Sequence, residues 1–176
     1  MKYYETHFND YLEKSSSFNL HEKYNKYYKE FPETVDNLKN IIFYGPPGVG
    51  KTSIARCLAS ALSFPFEQIS FGGMTSQDYL KGHDYTYVGS RPGEIVRCLG
   101  RMKYKNGILF MDEFEKVSGN KDIVSFLLHV TDPQQNHQYQ DNYFADIKID
   151  LSQLWFIYSM NSHPEDAALK DRIYTI

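Results

Sequence analysis

Gly45-Pro46-Pro47-Gly48-Val49-Gly50-Lys51-Thr52 is the stretch on which the reading of this chain turns. It fits the pattern G-x-x-x-x-G-K-[ST], and its flanks give that pattern meaning. Before it, Asn40-Ile41-Ile42-Phe43-Tyr44 is a short apolar run of β-forming residues, halted by Gly45 and Pro46, as in a buried strand. After it, Ile54, Leu58, Ala61 and Leu62 recur at helical spacing and predict an amphipathic helix over 51–62. A glycine-rich turn between strand and helix is a phosphate cradle. The glycines let the turn close so that N–H groups from Gly48 to Lys51 point inward. The helix adds the positive end of its dipole. Lys51 is a flexible cation suited to β- and γ-phosphates, and the Thr52 hydroxyl suits Mg²⁺.

The pattern continues outward in the same style. Phe66 to Ser70, Gly107 to Met111 and Leu154 to Tyr158 read as further strands, and Ile173 to Ile176 as the opening of a fifth. Ile95, Val96, Leu99 and Met102 mark a helix that starts near Pro92-Gly93. Ile123, Phe126, Leu127 and Val130 mark another, ended by Asp132-Pro133. Strands alternating with helices predict an α/β fold: a mostly parallel five-stranded sheet covered on both faces, in three αβα layers. Composition shifts near residue 38. Residues 1–37 are rich in Tyr, Lys and Glu, and nine of the 28 aromatic residues fall within the first 31. They read as an aromatic, charged extension, helical over about 21–31, that packs on a neighbouring surface or forms a loosely ordered tail. The α/β core then occupies 38–176.

Several function classes are excluded or disfavoured. A net charge of −3 over 176 residues does not suit a coat for nucleic acid or an anionic membrane. No apolar run approaches the length of a membrane span, and the N-terminus lacks the features of a secretory or transit leader, so an intracellular, cytoplasmic protein is expected. Cys57 and Cys98 lie outside any CxxC pattern and are expected as reduced, half-buried thiols. The six histidines show no metal-binding spacing, so no zinc site is expected. Arg97, Arg101, Lys103 and Lys105 form a basic cluster, read as a solvated helix face.

Ile108-Leu109-Phe110-Met111-Asp112-Glu113 carries the second chemical element. An apolar strand delivers two acids at its C-terminal end, where open α/β sheets bind ligands. Alone, such a pair is a solvated strand end. Beside a phosphate loop, Asp112 is positioned to hold Mg²⁺ and Glu113 to polarise an attacking water. The second acid speaks against a small-molecule kinase, which has no water to activate. Asn161 closes the fourth strand, where an amide can reach a γ-phosphate; on its own such an Asn is more often a turn former.

Taken together, these residues resemble an AAA+ ATPase, and more particularly the ATPase core of the Lon family. Gly45–Thr52 matches its P-loop, Asp112-Glu113 its acidic pair, Asn161 its sensor-1 residue and Arg172 its arginine finger. The likeness extends through Gly72-Gly73-Met74, Lys81-Gly82-His83, Thr86-Tyr87-Val88-Gly89-Ser90, Pro92-Gly93, Asp132-Pro133-Gln134-Gln135-Asn136, Asp150-Leu151-Ser152 and Leu169-Lys170-Asp171-Arg172, in the family's order. It covers residues 38–176. The resemblance implies a P-loop NTPase that binds ATP through Gly45, Pro46, Pro47, Gly48, Val49, Gly50, Lys51, Thr52 and Ser53. It implies Mg²⁺ on Thr52 and Asp112, and catalysis by Glu113, Asn161 and Arg172, the arginine acting on a neighbouring subunit. It also implies that Tyr87 and Val88 form a pore loop that grips an unfolded polypeptide. Asp84-Tyr85 stand where the family has basic residues.

Bland readings remain beside these. Tyr87 could be a core ring under a loop, and Arg172 could pair with Asp166 or Asp171. The family's helical lid and Ser–Lys protease domain are not within the 176 residues, so no peptidase site is expected in this chain. The expected partners are a polypeptide substrate, other AAA+ subunits and a separate lid or protease chain, with weak self-association or a monomer alone; neither nucleic acid nor membrane is the first choice. The rival functions are a clamp-loader-like ATPase and a truncated, non-catalytic nucleotide-binding module.

Overall fold

A computed structural model describes residues 39–162 and the strand Tyr174–Thr175. The elements follow the alternation of the sequence. Strand β1 (Asn40–Tyr44) leads into helix α1 (Lys51–Leu62), then β2 (Phe66–Ser70), the short α2 (Asp78–Lys81), α3 (Glu94–Met102) and β3 (Gly107–Asp112). A 3₁₀ turn (Phe114–Lys116), α4 (Lys121–Thr131), a second 3₁₀ turn (Asn136–Gln138), β4 (Tyr139–Gln140), β5 (Lys148–Ile149), β6 (Leu154–Met160) and β7 (Tyr174–Thr175) complete it. Residues 1–37, with their predicted extension, lie outside the described residues, and so does Arg172.

The main sheet has the order β2-β3-β6-β1-β7, with every pairing parallel. Strands β1, β3 and β6 are buried on both faces because alternate side chains serve two separate cores, whereas β2 fully buries only Ile69. Ile41, Phe43, Ile108, Phe110, Trp155 and Ile157 pack with Ala55 and Ala59 of α1. Ile42, Leu109, Met111, Phe156 and Tyr158 point the other way, into a larger core with α3 and α4. This is the three-layer arrangement predicted. Each fully buried aliphatic or aromatic side chain in it contributes roughly 1.5–3 kcal/mol.

Helix α1 spans the predicted residues but turns a different face inward. Ala55 and Ala59 are buried, whereas Ile54 is exposed. Small residues let the helix lie close on the sheet, so the contact is made by alanines with Leu58 and Leu62 at the margin. The thiols are not alike either: Cys57 is exposed and Cys98 is buried. Burial pushes the Cys98 thiol up to about 12. The basic cluster is not simply solvated. Arg97 and Arg101 both bind the Glu94 carboxylate, at 2.6 and 2.8 Å, and Arg101 also binds Glu67 at 2.8 Å. The small antiparallel β4–β5 pair was not legible, since each strand has only two residues. Among the described residues no helix is long and apolar enough to cross a membrane.

Candidate functional site

Parallel register gathers the polar strand ends on one rim. Ser70 of β2 lies opposite Asp112 of β3, Met111 opposite Tyr158 of β6, and Tyr44 of β1 opposite Met160. Every loop that leaves this rim therefore starts beside the others. Gly45 N–H donates to Met160 O at 3.2 Å and fixes where the loop after β1 departs. Gly48 and Gly50 take φ of 84° and 93°, a left-handed backbone that ordinary side chains disfavour. Gly50 sits at the N-cap of α1 without a side-chain cap, and the first helical turn carries no acidic residue. The N–H groups and dipole of that turn are thus not neutralised from within the helix, which suits an anionic ligand.

Lys51 bends back over the loop. Its Nζ donates to Gly45 O at 2.7 Å, to Pro46 O at 3.1 Å and to Asn161 Oδ1 at 2.8 Å. The other end of the same amide is held as well: Asn161 Nδ2 donates to Glu115 Oε1 at 2.6 Å, and Asn161 N–H to Glu115 Oε2 at 3.3 Å. Glu115 thereby fixes which way the Asn161 amide faces.

The acidic pair is equally well braced. Asp112 Oδ2 accepts from Gln68 Nε2 at 3.0 Å, and Ser159 Oγ donates to Asp112 Oδ1. Glu113 has φ 61°, unusual for a residue with a side chain. Its N–H donates to Asp112 Oδ1 at 3.1 Å and to Ser159 Oγ at 3.2 Å, which holds that conformation. Left-handed backbone at a strand end costs on the order of 1 kcal/mol and re-aims the side chain. The Glu113 carboxylate accepts from Ser70 Oγ at 3.2 Å.

A model of the family described as ATPase family associated with various cellular activities (AAA) matches residues 41–173. The chain belongs to this family. The chain is 44% identical over 151 residues to the Lon protease of Helicobacter pylori (strain J99 / ATCC 700824), covering 83% of this chain and 18% of that protein. It is 44% identical over 143 residues to the mitochondrial Lon protease homolog of Homo sapiens, covering 78% and 15%. It is 43% identical over 141 residues to the Lon protease of Mycoplasma mycoides subsp. mycoides SC, covering 77% and 17%. The chain thus spans less than a fifth of the length of these relatives. Nucleotide binding and ATPase activity belong to the AAA core, and its likeness to Lon proteases takes the place of the clamp-loader-like reading.

Of the residues singled out in the sequence, the AAA core brings Lys51, Asn161, Asp112 and Glu113 onto one rim; Arg172 lies outside the described residues. Among the described residues, no group of three or more His, Cys, Asp or Glu could cage a metal. A single hydroxyl, Thr52, and a single carboxylate, Asp112, fit Mg²⁺, which keeps waters and takes substrate phosphates as ligands. Tyr87 is 70% exposed, so it is not a core ring, and neighbouring Val88 is fully exposed. A cavity of about 490 Å³ opens elsewhere, between Lys81, Asp122, His129 and Tyr139.

Sequence reasoning missed Gln68, Ser70, Glu115 and Ser159. A signal existed for Ser70 and Ser159: both are polar residues near the C-terminal ends of apolar strands. For Glu115 there was little beyond its position two residues after Glu113.

Proposed function

We propose that this AAA core hydrolyses ATP with Mg²⁺ and uses the hydrolysis to move an unfolded polypeptide held by an exposed loop. The observation that carries the reading is the braced rim. A mobile cation, an oriented amide and two fixed carboxylates converge beside an uncapped helix N-terminus. In this reading the N–H groups of Gly48 to Lys51 bind the phosphates and Lys51 exchanges its loop carbonyls for β- and γ-phosphate oxygens. Thr52 and Asp112 would hold Mg²⁺, which neutralises phosphate charge when bound. Glu113 accepts a proton from the attacking water as its oxygen bonds to the γ-phosphorus and the bond to the β–γ bridging oxygen breaks, releasing ADP. The Asn161 amide, held by Glu115, orients that water or the γ-phosphate. Arg172 acts on a neighbouring subunit, where it stabilises charge in the transition state.

Two of these relatives are named Lon protease and the human one Lon protease homolog; for this chain only the polypeptide-moving part is proposed. The exposed tip of Tyr85, Tyr87 and Val88 supports it, because large apolar side chains in solvent mark a surface that binds another chain. The test is nucleotide affinity and ATP turnover measured side by side, with and without a Mg²⁺ chelator. Lys51→Ala should lose affinity. Glu113→Gln should keep affinity and lose about 10²-fold or more in turnover. Equal turnover for wild type and Glu113→Gln would remove the residue from the mechanism and leave a nucleotide-binding module.

A further inference from the structure

Residues 83–92, which carry Tyr85, Tyr87 and Val88, form a loop with a narrow neck. At the neck, His83 N–H donates to Arg91 O at 3.2 Å, and the glycines on either side, Gly82 and Gly93, lie close together. A Cβ on Gly93 would fall 2.7 Å from Gly82 N and 2.0 Å from Leu80 O, so no side chain fits there. The tip folds on itself. Asp84 Oδ1 accepts from Thr86 N–H at 2.9 Å and from Thr86 Oγ1 at 2.8 Å, and Ser90 N–H donates to Tyr87 O at 3.1 Å. Those bonds, led by the one to the Thr86 backbone, hold the Asp84 carboxyl below its ordinary range.

The neck is gripped from outside the loop by two residues that directly follow β4. Asp141 is completely buried. Its Oδ2 accepts from Gly93 N–H at 2.9 Å and its Oδ1 from Tyr143 N–H at 2.9 Å. Both neck glycines press on it: a Cβ at either position would come within 2.6 Å of a carboxylate oxygen. Asn142 ties the other strand of the neck. Its N–H donates to Lys81 O at 2.8 Å and its Nδ2 to Gly82 O at 3.1 Å. One dipeptide thus holds both ends of the loop, across 48 to 60 residues of sequence.

We propose that Asp141 and Asn142 are positioning residues for the exposed loop: by clamping Gly82 and Gly93 they set the direction in which Tyr87 and Val88 are presented to a polypeptide. A buried carboxylate is an expensive way to close a neck, since burial raises the Asp141 carboxyl to about 6 against the pull of the N–H groups and of Lys81. An apolar residue would fill the space but could accept neither N–H group. The acceptor oxygens are the part that matters. The clamp also ties the loop to the hairpin that follows α4, so a displacement of that hairpin would reach the loop tip without passing through the phosphate site.

This rests on the polypeptide-gripping reading of the loop, and the experiment separates the two. Amide hydrogen exchange is followed in the 176-residue chain for wild type, Asp141→Asn and Asn142→Ala. Binding of reduced, carboxymethylated α-lactalbumin is titrated on the same samples and on Tyr87→Ala. Asp141→Asn should speed exchange at His83 and Gly93 by roughly tenfold or more, with amides of β3 and β6 unchanged. It should raise the half-saturating polypeptide concentration by about fivefold or more while nucleotide affinity stays the same; a merely destabilised fold would move both. Unchanged exchange at Gly93 in a folded variant overturns the proposal. So does faster exchange with unaltered polypeptide binding that still depends on Tyr87. If wild type binds no polypeptide, the gripping reading fails and the exchange result alone decides the clamp. If Asp141→Asn does not fold, Asn142→Ala is judged by the same two readouts.

Discussion

Gly72→Ala is the substitution that most sharply tests how the Glu113 carboxylate is placed. Gly72 does not take a left-handed backbone, so alanine is compatible with the chain there. The difficulty is spatial. A Cβ at this position would lie 2.5 Å from Glu113 Oε2 and 3.3 Å from Ser70 Oγ. Ordinary contacts of a Cβ begin near 3.4 Å, so the carboxylate must withdraw by about 1 Å. It is the free end of a flexible side chain, so it can do so without unfolding anything. What it loses is the 3.2 Å bond from Ser70 Oγ, itself held by Gly72 N–H at 3.2 Å. A base displaced by about 1 Å loses on the order of 10²-fold in rate, or about 2.7 kcal/mol in barrier. Nucleotide affinity should not follow, because Lys51, Thr52 and the loop after β1 are untouched. Thermal stability should hold or rise slightly, as replacing glycine at a compatible backbone stabilises by about 0.4–1 kcal/mol. The assay is steady-state ATP turnover at saturating nucleotide, with affinity from a fluorescent analogue and a thermal melt of the same protein. Turnover within about threefold of wild type would refute the placement argument. A parallel loss of affinity would show that the substitution disturbs the phosphate loop instead.

Two further outcomes are expected. The Asp141 carboxyl is raised from 3.8 to about 6, mainly by burial, with Lys81 opposing and Tyr139 among the groups it faces. Its protonated form is therefore the one the fold favours, and its contribution of about 3 kcal/mol is present below the ordinary carboxyl range and lost as pH rises through about 6. Unfolding free energies of wild type and Asp141→Asn should diverge accordingly between about pH 4 and about pH 7.5, and a constant difference would refute it. Arg172→Ala should leave nucleotide affinity unchanged but abolish any rise of specific ATPase activity with protein concentration, a loss of roughly 10³-fold in an assembled site. Activity flat with concentration in both proteins would count against action across subunits.

Strands β1, β3 and β6 were legible because each is a compact apolar run buried on both faces, and the more polar β2 because Gly72-Gly73 halts it; β1 and β2 match their predicted bounds, and β3 and β6 run one and two residues further. That Lys51, Asp112, Glu113 and Asn161 meet on one rim was legible because their spacing ties them to strand ends. The residues that brace them were not. Ser70 and Glu113 are 43 residues apart, and Glu115 and Asn161 are 46 apart, so only the parallel register brings them together. Ile54 misled for a similar reason. A helix that packs through alanines leaves its larger aliphatic residue to a neighbouring face, and hydrophobicity alone ranks the two the wrong way round. Asp141 gave no sign at all in a polar stretch that reads as loop.

The strand order also governs when the nucleotide site can come into being. Strand β1 is made first of the described strands, yet its neighbours in the sheet are β6 and β7, the last two. Strands β2 and β3 can pair as soon as residue 112 has been made, whereas β1 must wait until residues near 160 arrive. Pairings of such long separation close slowly and late. Lys51 and Asn161 meet only at that step, so on a ribosome the phosphate loop would exist as sequence long before it exists as a site. A partly synthesised chain would then show nothing for ATP to stabilise, and ligand-assisted folding could begin only once β6 has been inserted.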